Sequence, residues 1–309
     1  MTTRDTITRP AHAKVNLVLS VGPAQPPKGY HPIASWMAPV TLADEVEVAR
    51  LGEGEQSGYT IAWAPDAPRQ TPIDWPLEKD LAVRAHRLME QHAGRPLPVR
   101  MTVRKRIPVG GGLGGGSSDA AAVLLALNEL FDLNLAEGAL VTLAGLLGSD
   151  VAFFVDAATG GGDAPRPALV AGLGERVERV DRVPGHLVLI FPPFGCPTAE
   201  VYRAFDTAGK ANLREAQVRA VIDAAVAAHR VIPAALFNDL AAPAQAVAPR
   251  LAEVRIAARE VLRTPVHVTG SGSTLFAVLE GAGLEEAQRR ADEVVRAVRG
   301  VAAAAVALC

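Results

Sequence analysis

The sequence predicts a mixed fold, α/β or α+β, in a chain long enough for two domains or one large one. Two observations carry this expectation. Stretches of period two and stretches of helical period alternate along the chain, with no internal repeat of fixed length. The longest glycine run, at 110–116, stands between a strand pattern and a helix pattern, which is the place of a built loop rather than of a linker.

Residues 11–22 read as a strand in which Val15, Leu17 and Leu19 alternate with Lys14, Asn16 and Val18. Lys14 and Asn16 then share a face, since side chains two apart point the same way. A lysine in so apolar a strand lies either at an exposed edge or in a polar site, and Asn16 carries the same choice. The Pro- and Gly-rich segment 23–32 holds Lys28-Gly29-Tyr30-His31. That loop either offers an aromatic face to a base or sugar, or is a turn with surface aromatics. Strands are expected at 33–40, 45–49 and 59–63, and a proline-rich loop at 64–76. Leu81, Ala82, Ala85, Leu88 and Met89 fall on one face of a helix at 79–92. A strand at 99–103 leads to the glycine run, and helices at 120–131 and 136–147 follow it.

Six of the seven residues from Gly110 to Gly116 are glycine, interrupted only by Leu113. Glycine enters positive φ at no steric cost and lets backbone N–H groups approach a ligand closely. Ser117, Ser118 and Asp119 offer N-caps to the alanine-rich helix after it. Strand, loop and helix N-terminus together predict an anion site, to which the helix dipole adds roughly half a positive charge. A Walker loop would need Gly-Lys-Ser/Thr at its end, and no lysine follows these glycines. The match of Gly110, Gly112 and Gly115 to a dinucleotide fingerprint is one that any glycine-rich run would give.

Further along, Asp150 sits between the helix-ending Gly148 and the apolar Val151-Ala152-Phe153-Phe154, either as a cap or as a functional acid. A flexible loop is expected at 156–166. The segment 167–175 leads into a strand at 176–180, and a buried strand is expected at 186–191. A helix starts near 197–198 with Thr198 as N-cap and with Tyr202 and Phe205 on one face. Amphipathic helices follow at 212–229 and 248–262, with Asn238-Asp239 set amid apolar residues between them. The third glycine cluster, Thr269-Gly270-Ser271-Gly272-Ser273, reads as a tight loop between two strands, suited to packing of one loop on another or to a phosphate. A helix at 284–298 and a strand at 301–308 close the chain. The runs 160–162 and 270–272 are candidate hinges.

The chain has 309 residues, 49% of them hydrophobic and 21% charged, with a net charge of −2. That balance gives no bulk attraction to nucleic acid or to an anionic membrane, so a phosphate ligand must be held locally. Cys196 and Cys309 form neither a disulfide framework nor a metal-ligand spacing. The first residues lack the apolar run of a secretion signal, and no apolar stretch reaches the about 18 residues of a membrane span. The expectation is a soluble, cytoplasmic protein.

The motifs, taken together, resemble those of the GHMP kinases. Pro108-Val109-Gly110-Gly111-Gly112-Leu113-Gly114-Gly115-Gly116-Ser117-Ser118 is similar to the nucleotide loop of that superfamily, and the cluster at 269–273 to its C-terminal glycine motif. Within the superfamily the resemblance is to the family that phosphorylates 4-diphosphocytidyl-2-C-methyl-D-erythritol in non-mevalonate isoprenoid synthesis. It rests on Ala13-Lys14-Val15-Asn16-Leu17, Gly29-Tyr30-His31, Gly148-Ser149-Asp150-Val151, Gly172-x-Gly174-Glu175, Thr198-Ala199-Glu200-Val201-Tyr202 and Asn238-Asp239-Leu240. The motifs run in the family's order from residue 11 to residue 276. The resemblance implies an α+β fold of two domains: a ribosomal-protein-S5-like nucleotide domain at 1–165 and a ferredoxin-like domain at 166–309. It implies ATP as co-substrate, Mg²⁺, and a small-molecule cytidine diphosphate substrate, handled by a monomer or homodimer. Asp150 matches the catalytic aspartate and Lys14 the catalytic lysine. The loop from Pro108 to Ser118 matches the phosphate cradle. Tyr30 and Tyr202 match the aromatics that flank cytosine, His31 the reader of the base edge, and Asn16 and Thr198 the contacts to diphosphate or erythritol. The chain departs from the pattern in a longer segment at 156–166 and in Ala152, where proline is common. Two other readings stay open. A GHMP kinase for homoserine, mevalonate or a sugar should lack the Tyr-His and Thr-x-x-x-Tyr pairings. An ATP-binding regulator would be expected to have lost Lys14 or Asp150.

Overall fold

A computed structural model describes residues 5–27, 29–156, 164–209 and 211–309. In chain order the elements are β1 (Thr6–Val21), β2 (Ile33–Arg50), β3 (Gly58–Trp63), α1 (Leu81–Ala93), β4 (Val99–Lys105), α2 (Gly115–Leu130), α3 (Glu137–Leu147) and α4 (Val151–Phe154). Then come β5 (Ala168–Gly172), β6 (Arg176–Arg179), β7 (His186–Phe191), α5 (Thr198–Thr207), α6 (Glu215–Ala228), α7 (Ala241–Val247) and α8 (Pro249–Leu262). The last are β8 (His267–Val268), β9 (Leu275–Leu279), α9 (Leu284–Ala297) and β10 (Ala302–Ala307).

The chain forms two compact units. The first comprises Met1–Ala13, Leu42–Val109 and Gly114–Pro165, and the second Lys14–Thr41, Gly110–Leu113 and Arg166–Cys309. In the first, β4 pairs antiparallel with the end of β2 (Glu45 opposite Arg104) and parallel with β3. Val99, Met101 and Val103 of β4 are buried with Val46 and Val48 of β2, and α1 packs on α2. Each such side chain contributes roughly 1.5–3 kcal/mol on burial.

In the second unit β7, β8, β9 and β10 form an antiparallel sheet in the order β10-β7-β9-β8. With helices between β7 and β8 and between β9 and β10, this is the βαββαβ arrangement of a ferredoxin-like domain, as expected. Its core gathers Val188, Ile190, Leu251, Val254, Leu275, Ala277, Ala291 and Val294. The hairpin of β5 and β6 pairs with the start of β2, Ile33 opposite Gly172.

Several boundaries differ from expectation. The strands expected at 33–40 and 45–49 are one continuous β2 that runs through Thr41-Leu42-Ala43, with Asp44 buried on the face of Val46 and Val48. β5 and α7 were not expected: β5 is short and buried, and α7 is an alanine-rich helix of seven residues. Thr198 is the first residue of α5 rather than its cap; Pro197 holds that position. Most of the loop expected at 156–166, and the hinge candidate at 160–162 within it, lie outside the described residues.

Candidate active site

The glycine loop begins from β4. The period-two alternation that buries Val99, Met101 and Val103 also turns Lys105 inward, where it is 4% exposed. A buried ammonium needs compensating charge, and two carboxylates supply it. Lys105 Nζ donates to Asp119 Oδ2 at 2.5 Å and to Asp44 Oδ2. The other oxygen of Asp44 accepts from the backbone N–H groups of Arg106 and, at 2.8 Å, of Ile107. One carboxylate therefore fixes the chain just before Pro108, and the lysine ties that point to Asp119 in α2. Burial alone would lower the Lys105 pKa, but Asp119 and Asp44 outweigh it and hold the ammonium above its ordinary range. Burial pushes the Asp119 carboxyl well up against the pull of Lys105, and the charge of Asp44 adds to the push. Asp119 Oδ1 is buried with no hydrogen-bond partner among the described residues.

Helix α2 starts five residues before the expected position. Gly114, in the left-handed region at φ 72°, is the N-cap, and Ser118 N–H donates to its carbonyl at 2.8 Å. Ser117, Ser118 and Asp119 are inside the helix and not caps. Low helix propensity argues against glycine in a first turn, but packing decides here. A Cβ on Gly115 would lie 3.0 Å from Ile107 Cγ2, so any larger residue would have to displace that side chain.

The middle of the loop, Gly110–Leu113, belongs to the second unit. Lys14 N–H donates to the Leu113 carbonyl at 2.9 Å and Thr274 N–H to the Gly111 carbonyl at 3.3 Å. Gly112, at φ 78°, has room for no side chain: a Cβ would stand 2.7 Å from the Thr269 carbonyl oxygen. The first and third glycine clusters thus pack loop on loop, one of the two uses expected of the third.

Lys14 is 3% exposed, which removes the exposed-edge alternative, and it shares a face with Asn16 as the alternation required. Its Nζ donates to Asn16 Oδ1 at 2.6 Å, Asn16 Nδ2 donates to Ser35 Oγ at 2.8 Å, and Asn16 N–H donates to Thr269 Oγ1 at 2.9 Å. Thr198 Oγ1 lies 2.9 Å from Ser271 Oγ. Lys14, Asn16 and Thr198 therefore meet around the 269–271 turn.

A second cluster in the same unit joins His31 and Tyr202, with ring centroids 5.0 Å apart, and Phe205 edge-on at 5.7 Å from the imidazole. His31 Nδ1–H donates to the Gly22 carbonyl at 2.9 Å, and Nε2 lies 3.3 Å from Asp206 Oδ1. Tyr30 is 59% exposed. In the first unit Asp150 occupies the N-cap position of α4, yet its side chain makes no capping bond, so the capping role does not account for it.

Residues 80–169 match the model of the GHMP kinases N terminal domain. A 4-diphosphocytidyl-2-C-methyl-D-erythritol kinase of Pelotomaculum thermopropionicum is 36% identical over 302 residues, covering 95% of this chain and 97% of the relative. The chain belongs to the 4-diphosphocytidyl-2-C-methyl-D-erythritol kinase family. A crystal structure of a 4-(cytidine 5'-diphospho)-2C-methyl-D-erythritol kinase matches it with a TM-score of 0.75 at 35% identity, over 97% of this chain and 99% of the other. A homoserine kinase of Cytophaga hutchinsonii matches with a TM-score of 0.65, over 100% of this chain and 96% of the other, but at 16% identity, which speaks to the shared fold alone. Members of this family are ATP-dependent kinases, and this chain is a small-molecule phosphotransferase with ATP as co-substrate. No described helix is long and apolar enough to cross a membrane.

Sequence reasoning did not single out Asp44, Lys105 or Asn238 as site residues, and it took Asp119 for a cap. The inward place of Lys105 was nonetheless legible, since it continues the alternation Val99, Met101, Val103.

Proposed function

We propose that this chain transfers the γ-phosphoryl group of ATP to the 2-hydroxyl of 4-diphosphocytidyl-2-C-methyl-D-erythritol, giving the 2-phosphate and ADP. Its place is non-mevalonate isoprenoid precursor synthesis in the cytoplasm. The observation that carries the reading is the end-to-end match to kinases of that name, at 36% identity over 95% of the chain.

The chemistry needs positioning and charge neutralisation more than covalent catalysis. The loop from Pro108 to Ser118 holds the phosphates. Asp150 accepts the proton of the substrate hydroxyl, and Lys14 stabilises the transferring group. Asn16 and Thr198 contact the diphosphate or erythritol part. Tyr30 and Tyr202 flank the cytosine, with stacking worth roughly 1–3 kcal/mol per base. Stacking tolerates any base, so hydrogen bonds must choose. His31 Nδ1 is taken up by the Gly22 carbonyl and its Nε2 lies beside Asp206, so the Asp206 carboxylate offers an acceptor to the cytosine amino group, which a uracil carbonyl could not use.

Mg²⁺ fits as the companion of ATP. Among the described residues no group of three or more His, Cys, Asp and Glu side chains could hold it alone, and Mg²⁺ takes only one or two carboxylates beside phosphate and water oxygens. Ser117 and Ser118 at the end of the loop are oxygen donors of the right class. When bound, the ion neutralises charge on the β- and γ-phosphates.

Asp150→Asn tests the assignment. Turnover should fall by ~10²–10⁴-fold, the range of a general base, with both substrates bound as before. Near-normal turnover with intact affinity would remove Asp150 from that role.

A further inference from the structure

The motif Asn238-Asp239-Leu240 has no part in the chemistry above, yet its two polar side chains are fully committed. Asn238 Nδ2 donates to the carbonyls of Val268 and Gly270, both at 2.8 Å, and its Oδ1 accepts from Leu240 N–H at 2.8 Å. Two carbonyls on one side and an N–H on the other leave the amide a single orientation. The held carbonyls bracket Thr269, the residue that bonds Asn16 and whose own carbonyl packs against Gly112.

Asp239 works in the opposite direction. Its Oδ2 accepts from Val21 N–H at 2.9 Å and Ser20 Oγ at 3.0 Å, and its Oδ1 from the Arg214 guanidinium. Arg214 in turn stacks on Phe237 at 4.1 Å. Val21, whose N–H is pinned, is followed by Gly22, whose carbonyl bonds His31 Nδ1. Backbone bonds from Leu19 N–H to Phe237 O and from Asp239 N–H to Leu19 O, both 2.9 Å, lay the motif along β1 between these two points.

We infer that Asn238 and Asp239 are a pair of positioning residues, Asn238 setting the turn behind the ATP loop and Asp239 holding the end of β1 that leads into Gly22, whose carbonyl aims His31 at the base. The inference rests on the roles of that loop and of His31 under the proposed function. One motif then fixes the two ends of the substrate pair with neighbouring side chains. A purely structural pair would change the folded fraction and treat both ligands alike; a positioning pair separates them.

The experiment is calorimetric titration of the folded protein with a non-hydrolysable ATP analogue and, separately, with cytidine diphosphate, for wild type, Asn238→Ala and Asp239→Asn. Wild type binding of both ligands checks the underlying reading first; failure there would fall on that reading and not on the pair. Asn238→Ala should weaken the ATP analogue on the order of tenfold, as for one or two lost neutral hydrogen bonds, and leave cytidine diphosphate within about twofold. Asp239→Asn should do the reverse. If Asn238→Ala does not fold, Asn238→Ser, which keeps one donor, should show the same split at about threefold. Equal weakening of both ligands, or wild-type affinity for both in either variant, would overturn the inference.

Discussion

The ends and the middle of the glycine loop are held by different physics. At the ends, a buried ion cluster joins residues 105–107 to Asp119 through Asp44 and Lys105. In the middle, Gly110–Leu113 rests on backbone amides and against the 269–272 turn, which Asn238 and the Asn16–Thr269 bond hold in place. Buried charge is costly to break, because a partner left behind is stranded in low dielectric. A neutral hydrogen bond contributes about 0.5–1.5 kcal/mol net, but it is directional, so a network of them sets geometry rather than strength. The ends should therefore govern whether the loop survives, and the middle what shape it takes.

The largest effect expected from this contrast is at Lys105. Lys105→Met leaves Asp44 and Asp119 without their cation and should lower the unfolding free energy by about 3–5 kcal/mol. Urea denaturation reads this directly, and a loss below about 1 kcal/mol would mean that the cluster is not the anchor.

Acid should act on the middle instead. His267 precedes Val268, whose carbonyl Asn238 holds, and burial together with Arg255 lowers its pKa from 6.5 to about 4. The folded state thus favours neutral imidazole, while the unfolded chain takes up a proton below pH 6.5. The stabilisation is complete above pH 6.5 and is lost as the pH falls towards 4, at about 1.4 kcal/mol per unit and about 3 kcal/mol in all. His267→Phe should remove that part of the slope when unfolding of the two proteins is compared from pH 7 to pH 4. Parallel profiles would contradict the assignment.

Smaller in stability, but sharper in function, is Gly112→Ala. The left-handed conformation costs a residue with a Cβ about 1–2 kcal/mol, and the 2.7 Å approach to the Thr269 carbonyl forces the two loops apart. The expected result is a raised KM for ATP with a modest fall in Tm. Unchanged kinetics would show that the loop-on-loop contact does not set the ATP site. The smallest effect is expected for Asp119→Asn. One ammonium faces two carboxylates, so Asp44 still balances Lys105 when Asp119 becomes an amide that keeps an acceptor for it, and the loss should stay within about 1 kcal/mol. A loss as large as that of Lys105→Met would mean that the ionised carboxylate is required.

Much of the fold was legible in period and punctuation. The strand at 186–191, the helix from 284 and the helix at 136–147 appear within a residue of expectation, because each is a clean pattern between breakers. Two of the misses, the start of α2 and the unbroken β2, share a cause. Glycine at the start of α2 and Asp44 within β2 contradict local propensity and are tolerated for tertiary contacts: Gly115 against Ile107 in the preceding loop, and Asp44 against the distant Lys105. The shared face of Lys14 and Asn16 was readable from alternation alone. The role of Asp44 was not, since its partners are 61 to 63 positions away.

The central claim is tested most directly by following ADP release with Mg-ATP and 4-diphosphocytidyl-2-C-methyl-D-erythritol, beside homoserine and mevalonate as acceptors. Turnover with the cytidyl substrate alone is the predicted result. Turnover with homoserine or mevalonate instead would keep the phosphate loop and remove the base-reading roles of Tyr30, His31 and Tyr202, and no turnover with any acceptor would contradict the catalytic reading itself.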